Sequence, residues 1–292
     1  MSDLHIISTK VNLRQRIKDI WRFRELLVGL TRKELKVKYK ESILGFVWSM
    51  LNPALYLLVF YVVFQIILKA AIPQFPVFLL SGLLVWNLFS TGVSFSCVSI
   101  VANSGLIKKV AFPREILSFA SVGAAMIHFF LQTIVLLLAM AILKHPPSPH
   151  FLILLPLALV ALLVLTSAVG ILLAAVNVYL RDTQHLLELA LLAWFWACPI
   201  VYAYQSNIAT RHRGPTVTVV NHWAWIYRLN PVVPIVLTFQ RALYNRTGTI
   251  LTSDGAKWYG YQLLLVLAFS IVLLLVSMVV FSRLEGNFAE EL

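Results

Sequence analysis

The stretch KYKESILGFVWSMLNPALYLLVFYVVF, residues 38–64, starts as a basic surface and ends as an apolar helix. Lys38 and Lys40 suit a water boundary, Trp48, Asn52 and Pro53 follow, and Tyr56, Phe60, Tyr61 and Phe64 lie deeper. The apolar part, 46–68, is long enough to cross a hydrocarbon layer about 30 Å thick, which takes roughly 20 residues. A plain anchor needs only Leu, Ile and Val, so the aromatics and the Asn-Pro pair call for a further explanation. Positions 48, 52, 56, 60 and 64 recur every four residues, and each step of four turns about 40° on a helix of 3.6 residues per turn. Trp48, Asn52, Tyr56, Phe60 and Phe64 therefore form a slowly winding stripe that a tilted helix can lay along a pore. Pro53 removes a backbone donor and crowds the carbonyl one turn earlier, which predicts a loosened helix at Asn52-Pro53.

Outward from this run, five more apolar runs lie at 76–101, 116–143, 151–178, 186–204 and 260–282. The 292-residue chain is 60% hydrophobic and 12% charged, with a mean hydropathy of +0.85, whereas soluble domains average about 25% charged. The predicted fold class is an all-α integral membrane protein with six transmembrane helices. It divides into an N-terminal segment, 1–45, and a transmembrane domain, 46–292. An even number of crossings puts both termini on one side. With the termini inside, the inner parts carry 16 of the 24 Lys and Arg residues and the outer parts 8, mostly in the single segment 205–258. The positive-inside rule, which counts only Lys and Arg, therefore favours cytoplasmic termini. The polar first forty residues predict no cleaved signal peptide.

Two segments are neither plain spans nor plain loops. VNLRQRIKDIWRFRELLVGLTRKELKVKYK, residues 11–40, places Leu13, Ile17, Ile20, Trp21, Leu27 and Leu30 along one helical side and crowds the other with Arg and Lys. That is the pattern of an amphipathic interface helix lying against anionic lipid headgroups, or also touching a cytosolic partner. In segment 205–258, an apolar run of about eleven residues, 229–239, is interrupted by Asn230, Pro231 and Pro234. Runs of this length more often dip into a membrane and return than cross it. Irregular backbone at that depth survives only under cover of protein or beside a wet cavity. Two short helices re-entering from the outer side are predicted, as a gate at Asn230, Pro231 and Pro234; the plainer reading is a loop lying on the bilayer.

Much chemistry is absent from the sequence. It has no G-x-x-x-x-G-K-[ST] loop to cradle nucleotide phosphates, no H-E-x-x-H and no ligand-spaced cluster of His, Asp and Glu. Cys97 and Cys198 sit in apolar runs and read as small core residues. Ionisable groups inside the spans reduce to His128 and, near a helix end, Glu188. His128 reads as a packed, hydrogen-bonded core residue and Glu188 as an interface residue, although intramembrane charge marks function by default. These absences disfavour a membrane enzyme and an ion-coupled transporter. No metal and no nucleic-acid partner is expected.

Several stretches resemble one family, the ABC-2 type permeases that export bacterial polysaccharides. VKYKESILGFVWSMLNPALYLLVFYVVF (37–64) resembles their first span, IKKVAFPREIL (107–117) their cytosolic loop between spans two and three, and NVYLRDTQHLLELALLAWFWACPIVY (177–202) their passage from span four to span five. LNPVVPIVLTFQRALY (229–244) resembles their re-entrant outer helices and FAEEL (288–292) their C-terminal tail. The likeness runs in order over nearly the whole chain. It implies a homodimer of permeases with two copies of a separate ATP-binding cassette subunit that carry the ATP and Mg, and no cofactor in this chain. It also implies a lipid-linked polysaccharide substrate of the O-antigen, teichoic acid or galactan kind, nearest to the actinobacterial galactan type, and a place in the bacterial cytoplasmic membrane. A permease for small drugs or lipids is the alternative.

The resemblance gives roles to named residues. Aromatic faces stack on sugar rings and hold a sliding glycan without fixing it. Trp48, Asn52, Tyr56 and Phe60, with Trp86, Phe89, Trp194, Trp196 and Tyr202, are expected to line the channel; for each aromatic, helix packing is the competing explanation. Segment 104–115 is expected to couple to the ATPase, with Lys108, Lys109 and Arg114 meeting acids, Glu115 beside them, and Phe112-Pro113 filling an apolar notch. Arg181 and Asp182 are expected to orient the second cytosolic turn.

Overall fold

The computed structural model describes residues 13–39, 47–69, 72–205, 210–212, 218–220, 227, 229–245, 250–252 and 254–292. Four helices among them are long and apolar enough to cross a membrane: Phe75–Ala102, Glu115–Ile142, Pro149–Tyr179 and Ala256–Asn287. They fall on four of the six predicted runs. In chain order the helices are α1 (Leu13–Arg22), α2 (Arg24–Tyr39), α3 (Val47–Tyr61), α4 (Phe75–Ala102), α5 (Ser104–Ile107), α6 (Glu115–Ile142), α7 (Pro149–Leu152), α8 (Leu155–Tyr179), α9 (Thr183–Trp196), α10 (Val232–Leu243), α11 (Ala256–Leu284) and α12 (Phe288–Glu291). A two-stranded antiparallel hairpin, β1 (Thr210–His212) with β2 (Thr218–Val220), lies between α9 and α10. The all-helical expectation needs that small correction. Its second strand is TVV, β-branched throughout, which suits a pleated strand better than a helix.

The other two predicted spans are shorter and less regular. The first, expected over 46–68, is α3 continued by a π-helical turn, Val62–Ile67. The helix runs through Pro53, which is buried, so the loosened stretch begins nine residues beyond the Asn-Pro pair. The fifth, expected over 186–204, starts earlier, at Thr183, and ends at Trp196, after which the chain turns through Cys198 and Pro199. Pro199 cannot continue a backbone ladder, which ends the helix after 14 residues.

The core has two parts. In the larger, α4 is the hub, 78% buried over its apolar window, and it packs on α6, α8 and α10 while α8 packs on α11. Close approach of α4 and α8 depends on small residues, as helix pairs in membranes commonly do. A Cβ on Gly92 would stand 2.5 Å from Thr166 Cγ2, and one on Gly170 would stand 2.7 Å from Ser96 Cβ. Gly170→Leu is therefore expected to force α4 and α8 apart, lowering the yield of folded protein and its melting temperature in detergent. Overpacking of this kind costs about 1–3 kcal/mol or more. Gly260→Ala, whose new Cβ meets only Leu154 Cδ2 at 3.8 Å, is the control expected to leave both unchanged.

The smaller cluster sits at the opposite end of the helices. Leu30 of α2 joins Ile100, Ile107, Ile116, Leu117, Ala120, Ile171, Ala174, Ala175, Val178, Phe281 and Phe288 in it, with Ile20 and Leu27 against its edge. The amphipathic segment is thus two helices, broken at Phe23, whose apolar side covers the ends of the long helices. Its Trp21, predicted on that side, is 71% exposed. The Leu13 and Ile17 side chains lie outside the described residues.

Candidate functional site

A cavity of about 560 Å³ opens among α3, α4, α6 and α9, within the range of ligand-binding clefts. Its aromatic side comes from Trp48, Tyr56 and Phe60 of α3, Trp86 of α4, and Phe195 and Trp196 of α9. The rings support one another. Tyr56 and Phe60 stack with centroids 6.4 Å apart, Phe60 and Phe195 stack at 6.0 Å, and Trp86 meets Phe195 edge-on at 5.6 Å. Spacing of four along α3 is what brings Tyr56 and Phe60 to one wall. The Asn52 side chain, between Trp48 and Tyr56 on the stripe, lies outside the described residues.

Its polar side comes from Asn87, Ser90 and Thr91 of α4, His128 and Gln132 of α6, and Glu188 of α9. Asn87 Nδ2 donates to Gln132 Oε1 at 2.9 Å, which orients both amides. Each amide keeps further donor or acceptor capacity for a bound molecule. His128 is buried and Glu188 exposed, yet both border the same cavity. Their readings as a core and an interface residue are incomplete for that reason. The signal that points to this wall is polar periodicity inside apolar helices: Asn87 with Ser90 and Thr91, and His128 with Gln132, recur at three and four residues. An aromatic face beside a row of hydroxyl-binding groups suits a sugar ring, apolar on its faces and polar at its rim.

Three aromatics predicted for the channel do not line this cavity. Phe89 is fully buried and meets Trp194 edge-on at 5.0 Å. Trp194 Nε1 donates to Asn230 Oδ1 at 2.9 Å, and Tyr202 Oη donates to the Trp196 carbonyl at 2.9 Å. Helix packing and local bonding explain these three without a substrate. Conversely, Phe195 is at the centre of the aromatic side, although nothing in its sequence context sets it apart from its neighbours.

Asn230 also accepts from the Val232 N–H at 3.1 Å and donates to Cys198 Sγ at 3.4 Å. It therefore ties the end of α9 to the start of α10. Pro231 precedes α10 and Pro234 is in its first turn, where the missing N–H costs no intrahelical bond. Every residue of α10 except Arg241 is buried. Gln240 Nε2 donates to the Pro199 carbonyl at 3.0 Å, and the segment just before α7 joins its far end through Ser148 N–H to the Ala242 carbonyl at 2.8 Å.

Comparison with known proteins decides what kind of molecule carries this cavity. The ABC-2 type transporter family matches residues 25–244. Relatives include the O-antigen export system permease protein RfbA of Myxococcus xanthus, 32% identical over 94% of this chain and 98% of the relative, and RfbA of Klebsiella pneumoniae, 29% identical over 91% and 94%. The polysialic acid transport protein KpsM of Escherichia coli is 24% identical over 71% of this chain and 77% of its own.

The chain belongs to the ABC-2 type transporter family.

It is a multi-pass membrane protein of that family, and its second group of predicted residues lies at the smaller cluster. In this ABC-2 chain α5 and the turn after it connect α4 to α6. Lys108 and Lys109 are exposed on that turn, whereas Phe112, Pro113 and Arg114 are half-buried. Phe112 packs on the smaller cluster. Arg114 donates to the Glu285 carbonyl and lies 5.7 Å above the Phe288 ring. Partial burial pulls the Arg114 guanidinium below its ordinary value while neighbouring Glu115 pulls it back up. Glu115 is fully buried at the first turn of α6. Arg16 of α1 forks to Glu115 and Glu285 at once. Arg114 and Glu115 thus also make contacts inside the chain. Lys33 of α2 adds a bond to Asn103 Oδ1 at 2.7 Å, so α1 and α2 clamp both ends of the connecting loop. Arg181 and Asp182 stand exposed at the turn between α8 and α9.

Proposed function

We propose that the chain is the transmembrane permease subunit of an ABC exporter that moves a lipid-linked polysaccharide across the bacterial cytoplasmic membrane. A separate ATP-binding subunit supplies the energy, since the chain has no phosphate-cradling loop of its own. Two permeases and two ATPases form the complex, both termini are cytoplasmic, and α3 and α9 complete six crossings with the four long helices. The stretch around α10 re-enters from the outer side. The turn carrying Lys108 and Lys109 meets the ATPase. An O-antigen-like cargo is favoured by the names of the relatives, and the galactan kind by the sequence resemblance. The single observation that carries the reading is the cavity whose aromatic side adjoins a hydrogen-bonding side.

The test is replacement of Tyr56 and Phe60 together by Leu, with polymer export measured per assembled transporter. Leu keeps apolar bulk, and swaps of similar size cost little, roughly under 1.5 kcal/mol. Stacking on sugar is worth more than the lost packing, so export is expected to fall several-fold while insertion and complex assembly stay intact. Leu58→Ile, at an exposed residue of α3 outside the cavity, is expected to export normally. Undiminished export by the Tyr56/Phe60 variant would remove the cavity from the transport path.

A further inference from the structure

We infer that the exposed basic face of α1 and α2 docks on anionic phospholipid headgroups, in the cytosolic leaflet on the orientation proposed above. An ordinary interface helix sinks its apolar side into lipid. Here that side is taken by the protein itself: Leu30 is buried in the smaller cluster, with Ile20, Leu26 and Leu27 against its edge. The lipid contact therefore falls to the opposite face, where Lys18, Arg22, Arg24, Arg32 and Lys36 are exposed. Among the exposed described residues of these two helices, Glu25 is the one acid. Trp21, Val28 and Val37 are exposed between the cations, and the Arg24 guanidinium lies 5.9 Å from the Trp21 ring centroid. Cations mixed with an exposed Trp suit the headgroup zone, which is charged but partly apolar.

Where α2 rests decides for lipid over a partner in the cytosol. Thr31 Oγ1 stands 3.4 Å from the Ala120 carbonyl, and a Cβ on Gly123 would stand 3.0 Å from it. Gly123 is eight residues past the start of α6, about 12 Å along the helix at 1.5 Å per residue. Two turns further along the same face of α6, Phe130 begins an exposed apolar stripe with Ile134 and Leu137. On a membrane-crossing helix such a stripe faces hydrocarbon. So α2 lies on the lipid-facing flank of α6, above the start of that stripe rather than beyond the end of the helix. Interface helices lie about 5–10 Å into the headgroup boundary, and long Lys and Arg side chains reach headgroup phosphates from that depth. Val28, Arg32 and Lys36 recur every four residues along α2, on the side away from Leu30. Lys33 of α2 holds Asn103 and Arg16 of α1 holds Glu115 and Glu285, so lipid that seats the two helices also steadies the loop between α4 and α6.

The experiment uses the full-length chain in vesicles of phosphatidylcholine with a minor share of phosphatidylglycerol. Val28→Cys carries a donor fluorophore; Val28 is exposed, and the native Cys97 and Cys198 are both buried. Energy transfer to acceptor-labelled phosphatidylglycerol is compared with transfer to acceptor-labelled phosphatidylcholine. One basic residue near an anionic surface strengthens binding about fivefold, so enrichment of phosphatidylglycerol at the label by about fivefold or more is expected. Added salt should weaken it. Reversal by Lys18→Glu, Arg22→Glu, Arg32→Glu and Lys36→Glu together should abolish it, and the matching Gln variant should leave a small remainder. Both variants keep Leu30 and Thr31, so the packing of α2 on α6 is retained. Equal transfer to the two lipids in wild type, or enrichment that survives charge reversal or high salt, would overturn the inference. Loss of the enrichment when the ATPase subunit is added would give this face to that subunit and overturn it as well. No cargo is present in the vesicles, so each of these outcomes leaves the export reading untouched.

Discussion

Arg16→Ala is expected to abolish export and to loosen the cytosolic end of the protein. The guanidinium of Arg16 joins Glu115, whose side chain is fully buried, to Glu285, and through them ties α1 to α6 and to the end of α11. The second carboxylate oxygen of Glu115 already has no hydrogen-bond partner among the described residues. Removing the arginine would leave the buried carboxylate with only the adjacent Arg114, itself bonded to the Glu285 carbonyl, to offset it. Loss of one partner from a buried pair costs about 3–5 kcal/mol; because Arg16 keeps 20% exposure, about 2–3 kcal/mol is the fitting expectation. Arg16→Lys should recover only part, because a compact ammonium cannot serve two carboxylates with a planar fork. Neutralising all three, with Arg16→Met, Glu115→Gln and Glu285→Gln, should restore more of the melting temperature than Arg16→Ala retains. The cycle is read by thermal unfolding in detergent and by export in cells. Wild-type melting and export in Arg16→Ala would show that this link is idle.

The second large effect is expected from charge reversal at Lys108 and Lys109. Both stand exposed on the turn between α5 and α6, while Arg114 beside them is bound within the chain. Substitutions at such exposed sites usually change folding stability by no more than about 0.5 kcal/mol. Yet losing a charged contact that is desolvated at an interface costs on the order of 2–5 kcal/mol. Lys108→Glu with Lys109→Glu should therefore leave an inserted, normally folded permease that no longer co-purifies with its ATPase and exports nothing. Restoration by compensating basic residues on the ATPase would identify the contact. Undisturbed co-purification and export would place the coupling surface elsewhere, with Arg181 and Asp182 next to be tested.

What could be read from sequence differs between parts of the fold for physical reasons. The long helices α4, α6, α8 and α11 stand out because twenty or more apolar residues in line have few alternatives to a helix across a membrane. The end of α9 is harder to place, since its apolar run continues past Pro199 while its helix does not. In α3 the winding aromatic stripe is legible from its spacing, and Trp48, Tyr56 and Phe60 share the cavity. Which tryptophan faces it is not legible: Trp194 and Trp196 are two residues apart, and only Trp196 lines it, Trp194 being turned to Asn230. The polar side is assembled from three helices, so Asn87, His128 and Glu188 gain meaning only when those helices come together. The link through Arg16 is less visible still, because it joins residues 99 and 269 positions apart, and no local pattern marks either partner.

The central claim, export of a lipid-linked polysaccharide, is tested most directly by depleting the protein in its own host and locating the polymer. Lipid-linked glycan would be extracted and its sidedness determined with a membrane-impermeant oxidant applied to intact cells. The account predicts that full-length polymer accumulates on its lipid carrier inside the cell, protected from the oxidant, while the surface loses it. Polymer that still reaches the surface in normal amount, or a block before any lipid-linked polymer is made, would contradict it.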